Sequence, residues 1–208
     1  MVDITAEYLA QALEASASSF ADGELAYLAL TSKAEHPLRD RLAWALHTQL
    51  PDLVIAREWN YADLAILDQT GSPVALIEAK ALYTFDIRKL ELANVRKYAA
   101  MVKSDIAKSF TLLGDRPGAV FALVLVTHPL DAPPAHLGKA IAYRSGIQAA
   151  FNSATEEEIR AGARKSLTAA LKPLGPVIHG SLAAGAAFGV RAVVDYAIVG
   201  PVAKPLGN

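Results

Sequence analysis

The sequence predicts a single α/β domain with a mixed central β-sheet flanked by α-helices on both faces. Three observations carry this. Hydrophobic residues make up 53% of the 208 and charged residues 20%, enough apolar surface for a core and too much for a disordered chain. The period of the apolar pattern changes along the chain between helical and extended spacing. The run AVFALVLVT (119–127) is apolar throughout, as a central strand covered on both faces requires. Strands and helices do not alternate strictly enough for a doubly wound parallel sheet.

The elements follow in order. Residues 5–30 read as helical, with Tyr8, Leu9, Ala12 and Leu13 apolar and a break near ADGE. A further helix spans about Glu35 to Leu50, where Leu38, Leu42, Ala45, Leu46 and Leu50 form a stripe. Ser32 and Glu35 make an S-x-x-E pattern that fits a capping box. Pro37 sits late in that first turn and shifts the expected start toward His36. LVIAREW and ADLAIL read as strands, DQTGSP as a turn and VALIEAKAL as the next strand. Ile87 to Phe110 returns to helical spacing, with Val95, Ala99, Val102 and Ile106 on one face. DAPPAH is a loop, and residues 137–151 and 155–172 read as two more helices. The tail, through VIHGSL and GVRAVVDYAIV, reads as two late strands.

Composition excludes several classes. There is no cysteine, so disulfides and thiolate metal sites are out, and a reducing, cytoplasmic setting is expected. The start, MVDITAEYLA, carries an acid where a signal peptide needs a basic region. The apolar tail is interrupted by His179, Arg191, Asp195 and several glycines, so no membrane span is expected. A net charge of −1 lacks the wholesale basic character of a non-specific nucleic-acid binder.

ALIEAKAL (75–82) is the informative stretch, because Glu78 and Lys80 sit in an otherwise apolar strand. If Leu67 faces Val74 across the turn, Asp63 lies directly opposite Glu78. The two carboxylates and Lys80 then share one face, and a slip of one residue would separate them. Facing carboxylates raise each other's proton affinity. A divalent cation relieves that cost, and carboxylate oxygens with water are what Mg²⁺ takes. A lysine beside such an ion suits phosphoryl chemistry. As an isolated string the pattern also fits a surface salt bridge, Glu78 or Asp63 with Lys80.

Glu78 falls fifteen residues after Asp63. With Ala79, Lys80 and the strand-turn-strand context, this resembles the PD-(D/E)XK nuclease superfamily over roughly residues 33–128. Ala62 stands where many members have proline. The resemblance implies a restriction-endonuclease-like core, with 1–30 a helical segment and 129–208 C-terminal helices and strands of one domain. It implies Mg²⁺, or Mn²⁺ in its place, held by Asp63, Glu78 and the carbonyl of Ala79. Lys80 would position the attacking water. Glu35 matches the glutamate that members often carry on the preceding helix, where it would hold a metal-bound water or a second ion, a role that competes with the capping box. The implied activity is hydrolysis of DNA phosphodiester bonds. Cutting both strands favours a symmetric homodimer, with the C-terminal strands as a candidate interface. The alternative is a catalytically silent module of the same fold, binding nucleic acid or protein.

Other residues carry weaker signals. Lys33, Arg39 and Arg41, and Arg88, Lys89, Arg96, Lys97, Lys103 and Lys108, are candidate phosphate contacts or a solvated face. Tyr83, Thr84 and Phe85 can line a groove, with packing the plainer role for Phe85. The histidines at 36, 47, 128, 136 and 179 show no ligand spacing. His128 and Asp195 read as buried, hydrogen-bonded groups. GSLAAG lacks the following lysine of a phosphate loop, and no G-x-S-x-G elbow occurs.

Overall fold

A computed structural model describes residues 3–89 and 93–204. Three helices open the chain. Helix α1 (Ala6–Ala17) is capped by Thr5, whose hydroxyl accepts the N–H of Tyr8. Helix α2 (Glu24–Thr31) starts after Gly23, in left-handed backbone at φ 72°. Helix α3 (Glu35–Gln49) buries Leu38, Leu42 and Leu46, and tolerates Pro37 because first-turn N–H groups have no intrahelical acceptor.

Strands β1 (Val54–Trp59), β2 (Ala62–Leu67) and β3 (Pro73–Tyr83) form an antiparallel meander. Helix α4 (Thr84–Ile87) and the long α5 (Ala93–Leu113) lead to β4 (Ala119–Pro129), which lies parallel to β3. The single helix expected from Ile87 to Phe110 is thus divided, and its residues 90–92 lie outside the described residues. Helices α6 (Arg144–Phe151) and α7 (Glu156–Leu171) precede the final pair β5 (Val177–Ala187) and β6 (Val190–Val199). A capping box does form, at α7, where Thr155 and Glu158 satisfy each other's backbone N–H groups.

The helix expected over 137–151 forms only from Arg144. A short 3₁₀ turn (Ala135–Leu137) comes first, and the N–H of Ala142 bonds to the carbonyl of Leu30 at 2.7 Å. That bond ties the segment to α2 in place of a helical turn.

The six strands run in the order β1-β2-β3-β4-β6-β5, and β3 with β4 is the parallel pair. One face, with Ile66, Ile77, Tyr83, Phe121 and Leu125, is buried with residues of α1, α2 and α3. The other, with Leu76, Leu82, Val120 and Val124, is buried with Val102 and Ile106 of α5 and Leu167 of α7. Each large aliphatic side chain so buried contributes about 1.5–3 kcal/mol. The mixed α/β sheet with helices on both faces is therefore as the sequence implied. The tail is strand, and among the described residues no helix is long and apolar enough to cross a membrane.

The register of β2 on β3 is the expected one for Leu64↔Ile77, Ala65↔Leu76 and Ile66↔Ala75. It slips at the turn, where Leu67 faces Pro73 in place of Val74. The cause is the turn itself. Asp68 accepts the N–H groups of Thr70 (2.8 Å) and Ser72 (2.9 Å) and its own N–H reaches the Ser72 carbonyl. That closed loop leaves one residue bulged.

Candidate functional site

The pairing of β2 with β3 ends at Leu64↔Ile77. Beyond it the N–H groups of Ala79 and Ala81 are taken by side chains in place of ladder carbonyls. Two carboxylates, one from β2 itself and one from α3, are the acceptors. Asp63 Oδ2 accepts the N–H of Ala79 at 2.8 Å, and Glu35 Oε2 accepts that of Ala81 at 2.9 Å. This settles the capping-box reading of Glu35 against the cap. Ala34 is the N-cap and offers no side-chain bond, while Ser32 ends α2. Glu35 spends its carboxylate on β3 because the orphaned N–H of a strand edge is a stronger claim than a turn in solvent.

Glu78 and Lys80 project toward α5. Ser109 Oγ donates to Glu78 Oε1 at 2.7 Å. The Lys80 ammonium bonds to Asp105 Oδ2 and to the carbonyl of Ala79, each at 2.9 Å, and lies 4.0 Å from Asp63 Oδ2. Lys108 also bonds Asp105, at 2.9 Å. On the other side of Asp63, the buried Arg39 pairs with Asp40 and Glu58 and comes within 3.7 Å of Asp63 Oδ1.

Glu78 is only 5% exposed. Burial pushes its carboxyl up to about 7, opposed by the Ser109 hydrogen bond and reinforced by the charges of Asp63 and Asp105. Burial alone would lower the proton affinity of Lys80, but Asp105 reverses that and raises it. Burial likewise works against the charge of Asp105, and Lys108 and Lys80 together hold its carboxyl below the usual range.

The elements therefore bring Asp63, Glu78, Ala79, Lys80 and Glu35 into one neighbourhood, at the place where β2 leaves β3. Among the described residues no three or more His, Cys, Asp or Glu side chains are grouped as a metal cage. Mg²⁺ does not need one, since it keeps several waters and takes one or two carboxylates. Asp63, Glu78 and the Ala79 carbonyl supply hard oxygen donors of that kind. In this structure the Ala79 carbonyl accepts the Lys80 ammonium at 2.9 Å.

Sequence reasoning missed Asp105, Ser109 and Glu58. A signal existed for the first two. They stand four apart on the stripe of α5 that also carries Val102, Ile106 and Phe110, and both are buried. Polar residues on a buried stripe need partners. Arg39 is corrected: it is buried among acids and is no free phosphate contact. Arg41 pairs with Glu24 at 3.4 Å, and Lys108 is held by Asp105. Arg96, Lys97 and Lys103 remain exposed on α5. Tyr83 belongs to the core, its hydroxyl donating to the Ala29 carbonyl at 2.6 Å. His128 is fully buried between Thr84 (2.9 Å) and Glu156 (2.6 Å), and Asp195 receives two bonds from Arg160.

Compared with models of known protein families, with curated proteins and with solved structures, the chain matches none.

Proposed function

We propose that the protein is a Mg²⁺-dependent nuclease of the PD-(D/E)XK type, acting on DNA, with Mn²⁺ able to replace Mg²⁺. The observation that carries this is the convergence of Asp63, Glu78 and Lys80 at the divergence of β2 and β3, with Asp63 fixed by the N–H of Ala79 at 2.8 Å. The order α3-β1-β2-β3-α4-α5-β4, with β3 and β4 parallel, supports a restriction-endonuclease-like core.

In this reading Asp63, Glu78 and the Ala79 carbonyl hold the ion. When bound, the ion would supply charge neutralisation at the phosphate and a water of raised acidity. Lys80, kept protonated by Asp105, orients that water and offers positive charge to the phosphate. Glu35 fixes the strand that carries the site. Arg39 holds Asp63 from behind. A homodimer would serve cleavage of both strands of a duplex.

The test is cleavage of supercoiled and linear DNA with Mg²⁺ or Mn²⁺, with EDTA as control. Glu78→Gln, similar in size and uncharged, is expected to lower the rate about 100-fold or more, the scale of losing a group that stabilises transition-state charge. Cutting that survives EDTA, or that Glu78→Gln leaves unchanged, overturns the assignment.

One observation favours a second reading, a silent binding module of the same fold. The charged groups of the site already have partners within the chain: Asp63 with Ala79, Glu78 with Ser109, and Lys80 with Asp105. A silent module shows neither cleavage nor metal-dependent stabilisation.

A further inference from the structure

Glu35 has a second surroundings besides β3. It forms part of the wall of an open groove of about 490 Å³, together with Thr31, Ser32, Lys33, His36 and Tyr143. That volume lies within the roughly 300–1,000 Å³ of small-ligand sites. The lining differs from an apolar pocket: besides Ala142 it offers two aliphatic hydroxyls, an imidazole, an ammonium, a carboxylate and one phenol ring.

Tyr143 is the informative member. It is 53% exposed and holds left-handed backbone at φ 57°. A bulky residue is uncommon in that conformation, and such positions gather at binding sites. Here the surroundings are visible. Ala142 is bonded to the Leu30 carbonyl at 2.7 Å. The Tyr143 ring lies 5.2 Å from that of Tyr83 and 6.4 Å from that of Phe85. Tyr83 is itself anchored by its hydroxyl on Ala29. The ring is therefore held from the core side while much of it stays open to solvent. Lys33, beside the groove, lies over the Tyr98 ring at 5.5 Å.

We propose that this groove receives the nucleotide next to the scissile phosphate, its base stacked on Tyr143 and its phosphate near Lys33. The identity of the ligand rests on the nuclease reading above. A base inside a duplex is already stacked on its neighbours and presents no face to a protein ring. The ligand is accordingly a single-stranded segment, or a splayed end, of nucleic acid. A rigid ring also stacks without choosing among bases, so the groove fixes strand state and not sequence. Glu35 joins the groove to the site, because it lines the first and holds the strand of the second.

The experiment is fluorescence anisotropy of a labelled single-stranded oligonucleotide and its duplex, in EDTA so that nothing is cut. The single strand is expected to bind more tightly than the duplex. Tyr143→Leu should weaken single-strand binding about 10-fold, the scale of losing one stacked base. Tyr143→Phe keeps the ring and should bind as the wild type. Trp44→Leu removes an exposed ring on α3 outside the groove and should also leave binding intact. Lys33→Ala should reduce the slope of log affinity against log salt by about one. Thermal melts confirm that each variant is folded. Tighter duplex binding, or a folded Tyr143→Leu that binds as the wild type, overturns the groove. Metal-dependent cleavage with no effect of Tyr143→Leu sinks the groove and leaves the nuclease reading standing. Binding that depends on Tyr143 without any metal-dependent cleavage does the reverse.

Discussion

Glu78 and Asp195 both stand on inner strands, β3 and β6, and both face the layer of α5 and α7, yet their surroundings differ. Asp195 is met by Arg160 at 2.9 and 2.7 Å, and neighbouring His128 is met by Glu156 at 2.6 Å. Burial works against the charge of Asp195, but Arg160 overrides it and holds the carboxyl below its usual range. Glu78 has a hydroxyl as its partner, and the ammonium of Lys80 on the same strand is bonded to Asp105. Its carboxyl is pushed up to about 7. The first cluster closes on itself, acid to base. The second leaves a carboxylate without a counter-charge, among further acids, and so is poised to take added positive charge. A buried charge with its own partner is the usual structural ion pair, whereas a strongly shifted one beside other acids is a candidate site.

The sharpest way to break this contrast is pH. The folded-state value near 7 lies above the ordinary 4.5, so the folded chain binds the Glu78 proton more tightly than the unfolded chain. The stability this gives is fully present below 4.5 and is lost as pH rises through 7. The loss is roughly 3 kcal/mol if Glu78 acts alone. Glu78→Gln should therefore melt above the wild type at pH 8, with a smaller fall in Tm between pH 5 and 8. Parallel falls in the two proteins would mean that Glu78 is not the group that titrates. Asp195→Asn should do the opposite. It destabilises by about 2 kcal/mol at pH 7, because Arg160 loses its partner in a partly buried place. The depressed carboxyl of Asp195 gives stability above pH 3.8 that disappears as pH falls through its folded value. The two contributions thus run in opposite directions with pH and in separate windows, that of Glu78 falling between 4.5 and 7 and that of Asp195 falling away below 3.8.

The contrast was only half visible in the sequence. The apolar patterns marked nearly every strand, and the assumed pairing of Leu67 with Val74, itself replaced at the bulge, put Leu64, Ala65 and Ile66 in their observed register. The bulge depends on hydrogen bonds inside the Asp68–Ser72 turn, which no period encodes. Glu35 was ambiguous for a related reason. Whether a glutamate caps its own helix or reaches a strand depends on where that strand lies, and β3 is more than forty residues away in sequence. Asp105 and Ser109 were legible as polar residues on a buried stripe, but their partners on β3 were not. Arg39 looked like any surface base until Glu58 and Asp63 closed around it.

Metal gives the next effect in size. At ten times its dissociation constant a ligand that binds only the folded state stabilises by about 1.4 kcal/mol, or about 3–5 °C in a chain of this length. Mg²⁺ should raise Tm by that amount at pH 8 and by less at pH 6, where the Glu78 proton competes for the same oxygens. Glu78→Gln should abolish the rise. A wild type whose Tm ignores both Mg²⁺ and Mn²⁺ would favour the silent module.

The smallest effect concerns Asp105, which touches Lys80 and not the proposed substrate. Burial weakens the hold of Lys80 on its proton, and Asp105 restores it. Asp105→Asn removes the restoring charge, so Lys80 should lose its proton at lower pH. Activity near neutral pH should fall only about 2- to 5-fold, while the alkaline limb of the kcat profile moves to lower pH. A purely structural role predicts a different pattern. Loss of the Lys108 and Lys80 bonds to Asp105 would lower Tm and scale activity down at every pH, leaving the shape of the profile alone. The displaced limb is therefore what separates an acid that sets the charge of Lys80 from one that merely fastens α5 to β3.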